Sequence, residues 1–271
     1  MLQPLETAFY IYAASITWHI LSIVLSYAIF VYMKKACYFL LVLVIAVQSC
    51  KKTDDFTISS IADVYPLKTG KVFIYRLDST IVGLGSQQLI VRSYNAKDSI
   101  DSQFMDAQGR PSFRIFRYIR DTFNVQPWQF MATYYATFDA NRVEFNDNNF
   151  RYVTLVNPVK DGQQWPGTQY INTASPYDYL KNWTFEYQNS GEAFTTKKGI
   201  IQDTYTVMQA DELTPDAPFD PANYQTRNYG KEVYAKGIGL IYKEFIHWEY
   251  QPSTYYQPTS FGVRLNLIDY R

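Results

Sequence analysis

Side chains that commonly act as nucleophiles or metal ligands are scarce in this sequence. The chain of 271 residues has two cysteines and two histidines. Cys37, Cys50 and His19 all fall within the apolar first fifty residues, which leaves His247 as the one imidazole beyond them. A single histidine excludes the zinc sites that need two or three imidazoles, and no cysteine pair remains for a disulfide or a zinc site. The sequence therefore predicts no cofactor and no metal centre.

His247 could still act as the general base of a Ser-His-Asp triad. Strand alternation over residues 241–250 places His247 on one face with Lys243 and Glu249, and aromatic residues such as Trp248 on the other. No Gly-x-Ser-x-Gly motif accompanies the histidine. We therefore expect His247 to be a solvent-exposed strand residue with no catalytic role.

Carboxylates offer two further candidate sites. Glu186 and Glu249 are each flanked by aromatic residues, as the two acids of a glycoside hydrolase would be, although alternation also places solvated acids on outer strand faces. Asp139, Asn141 and Asp147 carry the hard oxygen ligands that calcium prefers. Their segment lacks the glycine-centred spacing of a twelve-residue calcium loop, so a plain hairpin turn is the alternative.

Charge is balanced, with 25 Lys and Arg against 25 Asp and Glu. This balance excludes proteins that bind nucleic acid through a bulk positive charge. The basic cluster consists of four arginines, Arg110, Arg114, Arg117 and Arg120. On a strand, Arg114 and Arg120 share one face and Arg117 takes the other, so we expect solvated arginines and no basic patch.

From residue 65 onward, short runs with period-two alternation are separated by turn residues. Examples are residues 72–77, 88–94 and 113–119, which are rich in β-branched and aromatic side chains. Such runs at intervals of about 8–12 residues are typical of antiparallel all-β domains. The sequence predicts a single antiparallel domain of about ten strands, as a barrel, a half-barrel or a sandwich.

The amino-terminal region has the features of an export signal. Lys34 and Lys35 precede an apolar run over residues 36–47, and Cys50 follows closely. We expect a signal peptide over 33–49, a flexible tether over 50–62 and the β domain over 63–271. Residues 1–32 then result from an upstream start, and the alternative is a genuine membrane-spanning helix, since residues 8–32 carry no charged residue.

Several short motifs resemble those of uncharacterised lipoproteins of the Bacteroidetes. Val-Gln-Ser-Cys at 47–50 resembles a lipobox, and the lysines and acids of 51–55 resemble the signal for the outer leaflet of the outer membrane. Tyr-Pro-Leu-x-x-Gly at 65–70 and Tyr-Ala-x-Gly-x-Gly-Leu at 234–240 are similar to the first and last strands of that family. The resemblance implies a lipid on Cys50 and an outer-membrane location, with the cell surface favoured over the periplasmic face. It implies no activity.

Three functions remain open at this point. The first is a lipid-anchored module that binds an unknown small molecule, glycan or protein without chemistry. The second is a scaffold or assembly subunit of the envelope, and the third is a hydrolase that uses Glu186 and Glu249. A wide apolar cavity lined by several tyrosines and tryptophans would favour the binding module over the scaffold.

Overall fold

The computed structural model describes residues 32–35, which are helical, and residues 59–271. The chain divides into two compact units, Met1–Thr57 and Ile58–Arg271. Cys50 and residues 36–49 of the expected signal peptide lie outside the described residues. Among those that are described, no helix combines the length and apolar character needed to cross a membrane.

The second unit is an antiparallel β structure, which confirms the predicted fold class. It contains thirteen strands where about ten were expected. Two of the additional strands, β7 and β12, have only three and two residues, too few to show alternation in the sequence. The strands are β1 Val72–Val82, β2 Leu89–Met105, β3 Pro111–Arg120, β4 Gln129–Phe138, β5 Arg142–Asp147, β6 Phe150–Val156, β7 Gln164–Pro166, β8 Thr184–Thr196, β9 Gly199–Thr214, β10 Gln225–Ala235, β11 Gly239–Gln251, β12 Tyr255–Tyr256 and β13 Phe261–Tyr270.

The sheet consists of two meanders joined at its centre. One runs from β1 outward to β6, and the other runs from β13 through β11, β10, β9 and β8 to β7. Strands β1 and β13 pair along most of their length, from Phe73 opposite Tyr270 to Ile81 opposite Phe261. The first and last strands of the domain therefore support one another at the middle of the sheet.

The sheet curls until its two edges, β6 and β7, meet and form a barrel. The amide of Val153 donates to the carbonyl of Gly167 at 2.8 Å, and the indole of Trp165 donates to the carbonyl of Val153 at 2.7 Å. The hydroxyl of Tyr187 on β8 accepts from the amide of Val156 at 3.0 Å and donates to its carbonyl at 2.9 Å. Side chains thus satisfy edge groups that a continuous ladder would otherwise pair.

A short helix closes one end of the barrel. Helix α1, Ile61–Val64, begins with a capping box between Ser60 and Asp63 and buries Ile61 and Val64. Tyr65, which follows it, packs edge-on against Tyr234 with ring centroids 5.4 Å apart. The sequence predicts a tether as far as residue 62, whereas the structure places Ser59 to Val64 within the compact unit.

Candidate functional site

The barrel encloses a cavity of about 280 Å³. Phe73, Tyr75 and Leu77 line it successively along β1 and are buried, whereas Ser79, the next inward residue, is partly exposed. Asn148 also lines the cavity and is exposed at the β5–β6 turn. Because neighbouring strands are antiparallel, β1 and β5 end at the same side of the barrel. The cavity therefore opens there, opposite the end that α1 closes, and we call this opening the mouth.

Two ion pairs lie in the cavity wall, each joining two neighbouring strands. Arg117 on β3 lies directly opposite Asp98 on β2, and two hydrogen bonds of 2.6 Å join the guanidinium to the carboxylate. Glu232 on β10 lies opposite Lys243 on β11, with Nζ 3.0 Å from a carboxylate oxygen. Direct cross-strand placement aligns each pair without further support from loops. Each cation of the lining is thus neutralised by its own carboxylate.

Electrostatics within the cavity keep these cations charged. Burial by itself lowers the pKa of Lys243, but the carboxylates of Glu232 and Asp147 raise it above its ordinary value. The same holds for the pKa of Arg117, which burial lowers and Asp98 raises. Burial raises the pKa of Tyr179 to about 12, so this tyrosine stays neutral at physiological pH. The cavity wall therefore carries charged side chains and a neutral phenol hydroxyl at physiological pH.

Aromatic rings surround the mouth. Phe150 lies opposite Asp147 in the β5–β6 register, and Tyr152 lies opposite Phe145. Tyr179, from the 3₁₀ turn Asp178–Leu180, lies 6.4 Å from the ring of Phe261 on the other side. All these rings line the cavity. The hydroxyl of Tyr152 has no hydrogen-bond partner within residues 59–271, so it is free to bond a ligand.

The prediction that His247 is exposed is wrong. Only 6% of its surface is accessible, its ring stacks on Tyr179 at 3.9 Å, and Nδ1 lies 2.8 Å from Oδ1 of Asn228. Burial lowers the pKa of His247, so it packs as a neutral ring. The inner and outer faces of β11 are therefore the reverse of the expected ones. Lys243 lines the cavity and His247 is buried against Tyr179, because the interior of this barrel accepts polar side chains.

The structure does not bring Glu186 and Glu249 together. Strand pairing from β8 across β9 and β10 to β11 places Glu186 level with Glu244, by way of Met208 and Lys231. Glu249 lies five residues beyond Glu244 on β11. The two carboxylates are separated by three strand spacings, about 14 Å, and by about 17 Å along the strands. Glycoside hydrolases need about 5–9.5 Å. Each is instead hydrogen-bonded to a nearby glutamine, Gln164 or Gln251.

The calcium candidates also lie apart. Asp139 and Asn141 are in the β4–β5 turn, whereas Asp147 ends β5 at the mouth, about 17–20 Å away for a strand of this length. Asp139 accepts hydrogen bonds from the amides of Asn141 and Arg142 and from the guanidinium of Arg142. Among the described residues, no three His, Cys, Asp or Glu side chains are grouped as a metal site.

The strand faces of the arginines were predicted correctly, but the prediction that all of them are solvated is wrong for Arg117. Arg114 and Arg120 share the outer face of β3, and Arg117 takes the inner one. Arg117 is only 8% exposed, because Asp98 neutralises it inside the barrel. Arg110 lies in the turn before β3 and pairs with Asp106 and with the buried Glu144.

Sequence reasoning missed Asp98, Glu232 and Lys243 as cavity residues. A signal was available, because Glu232 shares its strand parity with Tyr234, and Lys243 shares its parity with Ile241 and Phe245. Opposite charges at matching parity on neighbouring hairpin strands indicate cross-strand pairs. Whether such a pair faces the barrel interior depends on which face of the sheet becomes enclosed, and alternation along a strand does not show this.

No known protein family matches this chain, and no curated protein sequence matches it. Two solved structures match over 77% of the chain and 98% of their own length. One is a "putative exported protein with YmcC-like fold" of Bacteroides fragilis NCTC 9343, at 11% identity and a TM-score of 0.33. The other is a "putative lipoprotein" of Parabacteroides distasonis ATCC 8503, at 12% identity and a TM-score of 0.35. Similarity of this degree carries no argument about this chain.

Proposed function

We propose that this protein is a lipid-anchored module of the bacterial envelope that binds a small ligand inside its β barrel and performs no chemistry on it. The observation that carries the proposal is the cavity, which is open at one end, closed by α1 at the other and lined by aromatic residues. Six tyrosines line it, at positions 65, 75, 134, 152, 179 and 234. Concave sites with apolar walls and a few polar groups are the usual form of small-molecule sites.

Two features favour binding over catalysis. The charged groups deep in the cavity are engaged in ion pairs, so no general base or nucleophile faces a bound molecule there. The histidine is packed beneath Tyr179 and hydrogen-bonded to Asn228. The buried ring, stacked on Tyr179 and bonded to Asn228 through Nδ1, supports the wall of the site.

Lipid attachment at Cys50 supplies the location in this proposal. One acyl chain holds a protein to a membrane only marginally, whereas two or three chains hold it stably. The chain enters the domain at Ser59, at the end that α1 closes. In this proposal the lipid on Cys50 holds the protein on the outer membrane, most favourably at the cell surface.

We expect Cys50→Ala to release the protein from membranes and to abolish its labelling by a fatty-acid analogue. The measurement is fractionation of cells that express the full chain, together with metabolic labelling. Cys37→Ala, in the expected signal peptide, is the matched control and should leave both results unchanged. Retention of the Cys50 variant in the membrane fraction would show that another segment anchors the protein.

We expect the uncharged fluorophore N-phenyl-1-naphthylamine to bind the full chain in nanodiscs, with empty nanodiscs subtracted. Ser79→Trp places a large ring in the mouth and should weaken this binding about tenfold, since a bound molecule and the indole compete for one volume. Val91→Trp is the control, because Val91 is exposed on the same hairpin and does not line the cavity. Equal binding by the two variants would place the fluorophore outside the barrel and contradict the proposed site.

A further inference from the structure

The charges that line the cavity do not balance. Three carboxylates, Asp98, Asp147 and Glu232, face two cations, Arg117 and Lys243. The two cations are already paired with Asp98 and Glu232. At the rim, Arg92 and Asp178 are exposed, carry one charge of each sign and do not belong to the lining. The cavity therefore has one negative charge in excess, and it is located on Asp147.

Asp147 has no ion-pair or hydrogen-bond partner within residues 59–271, and it is only partly exposed. Its negative field nevertheless extends across the site, because it contributes to the raised pKa values of Tyr134, Tyr152 and Lys243. Turn acids at the opposite end of the barrel differ in this respect: Asp106 and Asp139 are each held by an arginine. Asp147 is thus a carboxylate at the entrance to the cavity that forms no direct ion pair within residues 59–271.

Aromatic rings lie next to this carboxylate. Phe150 is its direct cross-strand neighbour, Phe145 precedes it by two residues on the same strand face, and Tyr152 is opposite Phe145. The faces of aromatic rings attract cations, and rings grouped around a carboxylate are the usual surroundings of bound quaternary ammonium groups. An anionic ligand would be repelled by Asp147 and would find both cations of the lining neutralised.

We propose that the mouth recognises an organic cation, a ligand with an ammonium group on a small apolar body, through Asp147 and the rings of Phe145, Phe150 and Tyr152. The ammonium group lies against Asp147, and the apolar body extends into the cavity toward Leu77 and Leu265. This inference rests on the proposed function, because it requires that the cavity binds a ligand. The inference adds that the ligand is positively charged and that Asp147 recognises this charge.

The test compares choline with 3,3-dimethyl-1-butanol, which has the same shape but replaces the charged nitrogen with carbon. Binding is measured by titration calorimetry on the full chain in nanodiscs, with empty nanodiscs subtracted. We expect choline to bind about tenfold more tightly than the neutral isostere, since both the carboxylate and the rings favour a cation. Equal affinities, or a preference for the neutral alcohol, would overturn the inference.

Asp147→Asn should remove most of the preference for choline, leaving only the share that the rings contribute, and should leave the affinity for 3,3-dimethyl-1-butanol unchanged. Asp216→Asn, in an exposed loop, is the matched control and should retain the preference. An unchanged preference in the Asp147 variant would assign recognition to other groups and contradict our inference. Failure of N-phenyl-1-naphthylamine to bind would instead contradict the proposed function, whereas its binding without any preference for choline would contradict the cation site alone.

Discussion

Arg117→Met should lower the free energy of unfolding by about 3–5 kcal/mol, because it leaves the buried carboxylate of Asp98 without its partner. Only 7% of the surface of Asp98 and 8% of that of Arg117 is accessible. Replacing both residues together, Asp98→Leu with Arg117→Met, should recover most of this loss, since no uncompensated charge then remains in the barrel. Urea unfolding of the three proteins measures the effect.

The matched control for this prediction lies on the opposite face of the same strand. Arg114 also pairs with an aspartate, Asp101, but the side chains of that pair are 43% and 33% exposed. We expect Arg114→Met to change the free energy of unfolding by about 0–1 kcal/mol, as is usual for exposed pairs. A loss below 1 kcal/mol for Arg117→Met, or no recovery in the double variant, would show that water in the cavity compensates Asp98.

Gly167→Ala should destabilise the barrel by about 2–3 kcal/mol, the upper part of the range for overpacking a core. A Cβ at this position would lie 2.4 Å from three ring atoms of Phe185. That ring is fully buried and packs against Trp165 with centroids 6.0 Å apart, so it has no space to withdraw. The same glycine accepts the hydrogen bond of Val153 that closes the barrel, so any displacement also opens the junction of β6 and β7.

A double-mutant cycle separates the clash from other effects of the substitution. In a chain that already carries Phe185→Ala, the change Gly167→Ala should produce no further loss, because the atoms that it meets are absent. Gly83→Ala is the control, since the nearest atom to a Cβ there is 3.1 Å away. If Gly167→Ala and Gly83→Ala were equally stable in urea, the close approach would not determine barrel closure.

Strand alternation predicted the fold class correctly but did not predict which face of β11 lies inside the barrel. The runs at 72–77 and 113–119 lie in β1 and β3, as their alternation predicted. The two faces were reversed on β11, where Lys243 lines the cavity and His247 is buried against Tyr179. Alternation reports two different faces but not which one is enclosed, and an interior that holds ion pairs lacks the apolar contrast that would identify it.

The amino-acid sequence by itself determined the all-β class, because period-two patterns and turn residues act locally along the chain. It also determined the scarcity of histidine and cysteine beyond residue 50, where His247 is the one imidazole. Only the tertiary structure decided that Asp98 meets Arg117 and that Glu232 meets Lys243. It also decided that the carboxylate of Asp147 forms no ion pair with any of residues 59–271. Those pairings depend on strand register and on closure of the sheet into a barrel, which are set by contacts between residues far apart in the chain.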